Sequence, residues 1–137
     1  MTDWVGYPAA AREDLKHTAG LIEEKDRRVI TAEADVRDFA ALKTAVDAGT
    51  AELGRLDVVV ANAGICNFGR VWELELDQWQ TLIDTNLTGV FHTVKATVPA
   101  LIAGGAGGSI IVTTHRLPSC PSHGERSPWP WSENRSP

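Results

Sequence analysis

A short, almost unbroken apolar run at residues 56–61, Leu-Asp-Val-Val-Val-Ala, limits the folds open to this 137-residue chain. Gly54 and Gly64 bound the run, and its three consecutive valines are β-branched residues, which pack well in sheets. A run of this length and composition predicts a strand that is buried on both faces. Such a strand needs neighbours and covering layers, so the run predicts a central strand of a helix-covered sheet.

Helical patterns lie on both sides of this run. Residues 12–25 place apolar side chains three and four positions apart, which predicts a first helix. A second helix is predicted between Asp38, whose carboxylate can accept the exposed amides of a first turn, and Gly54, which suits a left-handed ending. A third and longer helix is predicted over residues 77–102, with Pro99 as a candidate kink.

Two further strands are predicted, at residues 28–34 and at residues 109–114. Strands that alternate with helices in this way are typical of a parallel sheet covered by helices. We therefore expect an α/β fold over residues 1–114. The pattern predicts part of a Rossmann-like, doubly wound parallel sheet, made of central strands and helices only.

Residues 115–137 have a different composition, since five of the seven prolines of the chain lie there without any apolar periodicity. Such a stretch buries too little apolar surface to offset its ordering entropy, so we expect a disordered tail. Its Pro-Ser-Cys-Pro sequence at residues 118–121 fits a minimal proline-rich recognition pattern. An alternative function is therefore a non-catalytic interaction module that presents this tail to a partner.

Charge and composition argue against several other classes of protein. The net charge of −5 argues against a nucleic-acid partner, because such binding needs a surplus of clustered Lys and Arg. No apolar run approaches the roughly 20 residues that span a bilayer, and the N-terminus lacks a signal pattern, so we expect no membrane span and a cytoplasmic location. Cys66 and Cys120 lie far apart, so neither a disulfide framework nor a metal site is predicted.

Three motifs follow one another along the chain: Val-Val-Val-Ala-Asn-Ala-Gly at residues 58–64, Asp-Thr-Asn-Leu-Thr-Gly-Val at residues 84–90, and Gly-Ser-Ile-Ile-Val at residues 108–112. Each motif alone is weak. In this order and at these intervals they resemble the short-chain dehydrogenase/reductase family. More narrowly, the sequence between residues 7 and 114 resembles the subgroup of carveol-type and mycofactocin-coupled alcohol dehydrogenases.

The resemblance assigns a cofactor-binding role to Asn62, Ala63 and Gly64. These residues resemble the Asn-Asn-Ala-Gly element of the family, with Ala61 in place of the first Asn. The family's backbone passes close to the adenosine ribose at the carboxyl end of this strand, where small side chains and a flexible glycine fit. A plain turn residue is the alternative interpretation of Gly64.

The resemblance also assigns roles to Asp35, Val36 and Asn86. Asp35 resembles the carboxylate that accepts the exocyclic amine of adenine, and Val36 resembles the residue that packs on the adenine ring. Asn86 resembles the helix asparagine at which a local break holds a water that passes protons to the catalytic lysine. The alternatives are a solvated loop carboxylate for Asp35 and a helix-interior asparagine without a role for Asn86.

For intact members, the resemblance implies a homo-oligomer that moves hydride between a nicotinamide cofactor and a secondary alcohol or ketone. The subgroup favours NAD, with NADP left open. Three family elements do not appear in the sequence: the glycine-rich pyrophosphate loop, the catalytic serine, which aligns with His115, and the Tyr-x-x-x-Lys pair. Tyr7 is the only tyrosine, and Ala11 stands four residues later. We therefore expect an incomplete domain that is inactive as an enzyme by itself.

Overall fold

A computed structural model describes residues 10–67 and 70–114 of the chain. The predicted disordered tail and its Pro-Ser-Cys-Pro pattern lie outside the described residues. The elements, in chain order, are α1 (Arg12–Glu23), α2 (Phe39–Leu53), β1 (Val58–Ala61), a 3-10 turn (Val71–Glu73), α3 (Leu76–Ile83), a π-helical turn (Asp84–Thr88), α4 (Gly89–Ala103) and β2 (Ser109–Val112).

The two strands lie side by side and run parallel. Val58 pairs with Ser109 at one end of the ladder, and Ala61 pairs with Val112 at the other. The long helical crossover between them makes this direction possible, because parallel neighbours cannot be joined by a tight turn. The alternation of helices with parallel strands confirms the predicted α/β class.

Helix α2 begins and ends where its local sequence predicts. The Asp38 carboxylate accepts the backbone N–H groups of Ala40 and Ala41 at 3.0 and 3.1 Å. At the other end Gly54 adopts a left-handed backbone with φ of 91°. Its N–H group donates to the carbonyl of Thr50 at 2.9 Å. Both caps depend on residues within four positions, so the sequence alone predicts them.

The small core lies where α4 packs against α2 and β1. Its buried residues are mostly aliphatic or small: Val59, Ala61, Gly89, Ala96, Thr97 and Leu101. Gly108 brings the end of α4 close to the start of both strands. A Cβ atom at Gly108 would lie 2.7 Å from Leu101 Cδ2 and 2.8 Å from the Asp57 carbonyl oxygen, so only glycine fits there.

The prediction that the strand at residues 56–61 is buried on both faces is wrong. Val59 and Ala61 are buried, whereas the alternate residues Val58 and Val60 are 55% and 54% exposed. Successive side chains of a strand point to opposite faces, and in the described part of the chain the helix that packs closely on β1 is α4. One face of the sheet is therefore covered, and the other keeps apolar side chains exposed.

The prediction of a strand at residues 28–34 is also wrong, because this segment pairs with no strand. A strand exists only beside a partner. In the doubly wound order 3-2-1-4-5-6, two strands would separate this segment from β1. Residues 10–67 and 70–114 contain β1 and β2 alone, so the segment has no neighbour to pair with.

The helix predicted over residues 77–102 is present but is not uniform. It runs as α3 and α4 with the π-helical turn Asp84–Thr88 between them, and Pro99 lies inside α4. The first helix ends at Glu23, two residues earlier than predicted. Among the described residues, no helix has the length and hydropathy needed to cross a membrane.

Candidate functional site

The candidate site begins at the carboxyl ends of the two parallel strands. Asn62 directly follows β1, and Thr113 directly follows β2. The Thr113 hydroxyl donates to Asn62 Oδ1 at 2.9 Å, and the Thr113 N–H group donates to the Ala61 carbonyl at 3.2 Å. These bonds continue the pairing one residue past the ladder, so Asn62 is held at the edge of the sheet.

Asn86 joins the helix to the loop that follows β1. Its Oδ1 accepts the N–H group of Ile65 at 2.9 Å, and its Nδ2 donates to the carbonyl of Ile65 at 2.8 Å. Both ends of the side-chain amide therefore bind the backbone of one residue. The bridge places the loop carrying Asn62, Ala63 and Gly64 against the helix.

The helix is widened around Asn86. The N–H group of Gly89 donates to the carbonyl of Asp84, five residues earlier, and the turn Asp84–Thr88 is π-helical. Turns of this kind are rare and occur often at functional sites. The resemblance implied a local break in the helix at Asn86, and a break is present there. The proton-relay role attached to it remains a prediction.

Gly64 lies against the Asn86 amide. A Cβ atom at Gly64 would lie 3.2 Å from Asn86 Oδ1, so a side chain would crowd the bridge to Ile65. Ala63, its neighbour, is exposed and small. The loop therefore presents an open surface of backbone and methyl groups beside the ends of the strands. Gly64 has a packing role in addition to any turn it makes.

Val36 packs against the first turn of α4, the helix that follows the π-helical turn. A Cβ atom at Gly89 would lie 2.6 Å from Val36 Cγ2, so the valine side chain packs directly on the glycine backbone. The Val36 carbonyl lies 2.9 Å from Nδ1 of His92, one turn further along α4. The first turn of α4 thus holds Val36, and its residue Gly89 lies three positions after Asn86 on the same helical segment.

Asp35 is paired with its near neighbour Arg37. Asp35 Oδ1 accepts the backbone N–H group of Arg37 at 2.9 Å, and the guanidinium donates to both carboxylate oxygens at 2.6 to 3.0 Å. These hydrogen bonds hold the pKa of Asp35 below its ordinary value, although partial burial opposes them. The carboxylate is ionised and about half exposed, and Arg37 already bonds to both of its oxygens.

Gly89 and His92 belong to the site, although the sequence reasoning did not assign them to it. The sequence does give an indication for Gly89, because a glycine inside a helix costs about 1 kcal/mol relative to alanine and so suggests that another group packs closely against it. The sequence gives no such indication for His92, since its partner Val36 lies 56 positions away. Only the packing of α4 against the segment after α1 brings the two together.

Other parts of the described structure bring together fewer groups that could bind a ligand or take part in a reaction. Among the described residues, no three His, Cys, Asp or Glu side chains lie close enough together to hold a metal ion. An open, mostly apolar groove of about 230 Å³ lies between α2 and β1. It is lined at β1 by Val58 and Val59, toward the start of the strand, so it is separate from the residues at the carboxyl ends.

Comparison with known proteins places this geometry in a family. Residues 5–118 match the family model described as short chain dehydrogenase. The chain is 50% identical over 110 residues to an uncharacterized NAD-dependent oxidoreductase of Mycobacterium tuberculosis, covering 80% of this chain and 40% of that protein. It is 43% identical over 111 residues to (-)-trans-carveol dehydrogenase of Rhodococcus erythropolis, with 80% and 40% covered.

Comparison with solved structures supports the same family assignment. Carveol dehydrogenase from Mycobacterium avium, in complex with NAD, superposes with a TM-score of 0.78 at 52% identity over 82% of this chain and 41% of that one. A short chain dehydrogenase from Mycobacterium paratuberculosis, bound to NAD, gives a TM-score of 0.77 at 42% identity over 79% and 40%.

The parallel strands, the polar residues at their carboxyl ends and the helix break therefore define a Rossmann-like α/β protein, as predicted. The chain belongs to the short-chain dehydrogenase family. It spans about 40% of the length of the curated relatives it matches.

Proposed function

We propose that this chain forms the adenosine side of the cofactor site in an NAD-dependent oxidoreductase that interconverts secondary alcohols and ketones. The observation that carries the proposal is that one helical segment contacts both candidate regions: Asn86 contacts the loop that follows β1 at Gly64 and Ile65, and Gly89, three residues later, packs on Val36. In doubly wound sheets, nucleotides bind in the crevice outside these strand ends. The names of the mycobacterial and Rhodococcus relatives support the choice of cofactor and substrate class.

The residues present fit an adenosine group. Val36 offers a half-buried apolar surface for the adenine ring, and the Asp35 carboxylate would accept its exocyclic amine in competition with the Arg37 guanidinium. Ala63 and Gly64 leave the backbone open, as a ribose packed close to the chain requires. Asn62 would define the edge of this surface, because Thr113 holds its side chain in place.

When bound, the nicotinamide ring supplies or accepts hydride. The residues of this chain would bind and orient the other half of the cofactor. Asn86 holds the loop and the helix together, and both ends of its amide are used by Ile65. A proton relay at this position would therefore run through the backbone of the widened turn rather than through the Asn86 side chain.

We propose NAD rather than NADP as the cofactor. The two NAD-bound structures are 52% and 42% identical to this chain, whereas a Burkholderia cenocepacia short chain dehydrogenase in complex with NADP is 33% identical. A cytoplasmic location is part of the same proposal, since it would give the protein access to a pool of this cofactor. Without a Tyr-x-x-x-Lys pair in its sequence, the 137-residue chain is expected to bind without turnover.

A titration of the 137-residue chain with AMP, NAD and nicotinamide mononucleotide, followed by NMR, tests the proposal. We expect AMP and NAD to shift the amide signals of Asp35, Val36 and the 62–64 loop, and nicotinamide mononucleotide to leave them unchanged. A parallel assay with NAD and carveol should show no NADH formation. Shifts that spread over unrelated surfaces, or no shifts with AMP, would rule out an adenosine site here.

We also propose that the protein self-associates through α3 and α4, as the family resemblance implies for intact members. Trp79 on α3, Leu87 in the π-helical turn and Phe91 on α4 are more than half exposed. Large apolar side chains that are exposed together mark a surface for protein–protein contact. Sedimentation velocity of the wild type and of Phe91→Glu tests this. A wild-type chain that stays monomeric over a wide concentration range would contradict it.

A further inference from the structure

His92 is tied to the segment that carries the proposed adenine contacts. It lies on α4, and its Nδ1 atom is 2.9 Å from the carbonyl oxygen of Val36. The ring is half-buried and packs beside Phe39, with ring centroids 5.4 Å apart. Packing on one side and a hydrogen bond on the other fix the orientation of the imidazole.

The partner atom decides the tautomer of His92. A backbone carbonyl can only accept a hydrogen bond, so Nδ1 must carry the hydrogen. In the neutral ring, Nε2 is then the unprotonated nitrogen. The contact is therefore a directional hydrogen bond from the helix to the backbone of Val36.

The hydrogen bond from His92 helps to fix the position of the Val36 backbone, because the segment before Val36 is not a strand. Residues 28–34 join no ladder, so sheet pairing does not fix the position of Val36. Buried and half-buried backbone groups still need partners. The Asp35 carbonyl accepts the N–H group of Asp38, and the Val36 carbonyl has His92. The valine side chain rests on Gly89, so α4 holds Val36 at two points.

We propose that His92 is a positioning residue for the cofactor site: its Nδ1–H group, rather than strand pairing, sets the place of the Asp35–Val36 backbone on which the adenine would pack. This inference rests on the proposed function, since the segment matters for binding only if an adenosine group lies there. The imidazole itself touches protein groups and acts on the ligand through Val36.

Substitutions that keep or remove one donor atom test this role. Asparagine can place its Nδ2 donor close to the position of the histidine Nδ1, whereas leucine fills similar space without a donor. With AMP as the probe, we expect His92→Leu to weaken binding by roughly 3- to 10-fold, in line with the loss of one hydrogen bond. His92→Asn should restore binding to within about 2-fold of the wild type.

Thr93→Val is the matched control. The Thr93 hydroxyl donates to the Gly89 carbonyl within the same helix, so its removal loses a similar bond without releasing Val36. This variant should keep the wild-type affinity for AMP even if it unfolds at a lower temperature. Equal losses of affinity in His92→Leu and Thr93→Val would show a general effect of helix stability and overturn the proposal.

A measurement on the wild type separates this proposal from the cofactor proposal. NMR of the imidazole nitrogens in the ligand-free chain should show hydrogen on Nδ1, coupled across the bond to Val36. Hydrogen on Nε2 alone would overturn the positioning role, whether or not AMP binds. Failure of AMP to bind a chain with the expected tautomer would instead remove the cofactor site, and with it the functional meaning of His92.

Discussion

The side chain of Asn86 binds the backbone of Ile65 from both of its polar ends, accepting the N–H group at 2.9 Å and donating to the carbonyl at 2.8 Å. This pair of bonds joins a π-helical turn to the loop after β1. Asparagine has one donor group and one acceptor at the right separation, so neither leucine nor aspartate can replace both bonds.

Asn86→Asp should therefore destabilise the chain by about 1–3 kcal/mol, because the new carboxylate can still accept the Ile65 N–H group but faces the Ile65 carbonyl without a donor. Protonation of the new carboxyl would restore a donor, and the facing carbonyl raises its folded-state pKa, so the difference from the wild type should shrink as pH falls toward about 4. Urea unfolding of both proteins at several pH values measures this. A difference that stays constant or grows at low pH would argue against the bridge.

The substitution Gly89→Ala should displace the Val36 side chain from its contact with α4. The new Cβ would lie 2.6 Å from Val36 Cγ2, and an overpacked contact of this kind costs about 1–3 kcal/mol, more than the helix propensity gained. We expect lower thermal stability together with weaker binding of AMP. Gly49→Ala in α2 is the control, because no atom lies within 4 Å of its added Cβ. That variant should gain about 0.4–1 kcal/mol.

Arg37→Gln should raise the pKa of Asp35 toward the ordinary aspartate value of about 3.9. Hydrogen bonds from Arg37 lower this pKa in the wild type, so the pair stabilises the fold above the unfolded-state pKa. That contribution is lost as pH falls through the folded-state pKa. Because both side chains are about half exposed, its size should stay below about 1 kcal/mol. An NMR titration of the Asp35 carboxyl carbon follows the shift.

The same substitution tests how Asp35 meets a ligand. Arg37 occupies both carboxylate oxygens, so an adenine amine must compete with the guanidinium. We expect Arg37→Gln to bind AMP more tightly than the wild type, and Asp35→Asn to bind it more weakly. If Arg37→Gln instead lost affinity, the arginine would be a contact of the phosphate rather than a competitor for the carboxylate.

The exposed sheet face should make the isolated chain prone to associate. Val58 and Val60 are more than half exposed, and the sheet in residues 10–67 and 70–114 has two strands with open edges. We expect a broad thermal transition and concentration-dependent association. Val60→Lys should reduce association, while Val71→Lys, on a 3-10 turn, should not. A sharp transition in a wild-type monomer would contradict this.

Local sequence determined the elements whose bonds stay within a few residues. Helix α2 starts at Asp38 and ends at Gly54 because the capping atoms belong to the helix's own neighbours. The β-branched run produced β1 where it was predicted, although a little shorter. The family motifs marked Asn86, and the helix break lies around that residue.

Tertiary structure decided everything that depends on a distant partner. Residues 28–34 have strand-like composition but join no strand, because pairing requires a neighbour that composition cannot supply. The exposure of Val58 and Val60 follows from which face α4 covers. The roles of Gly89 and His92 follow from their contact with Val36, more than fifty residues away along the chain. Sequence patterns record the preference of a residue, whereas burial and long-range hydrogen bonds depend on which surfaces the folded chain brings together.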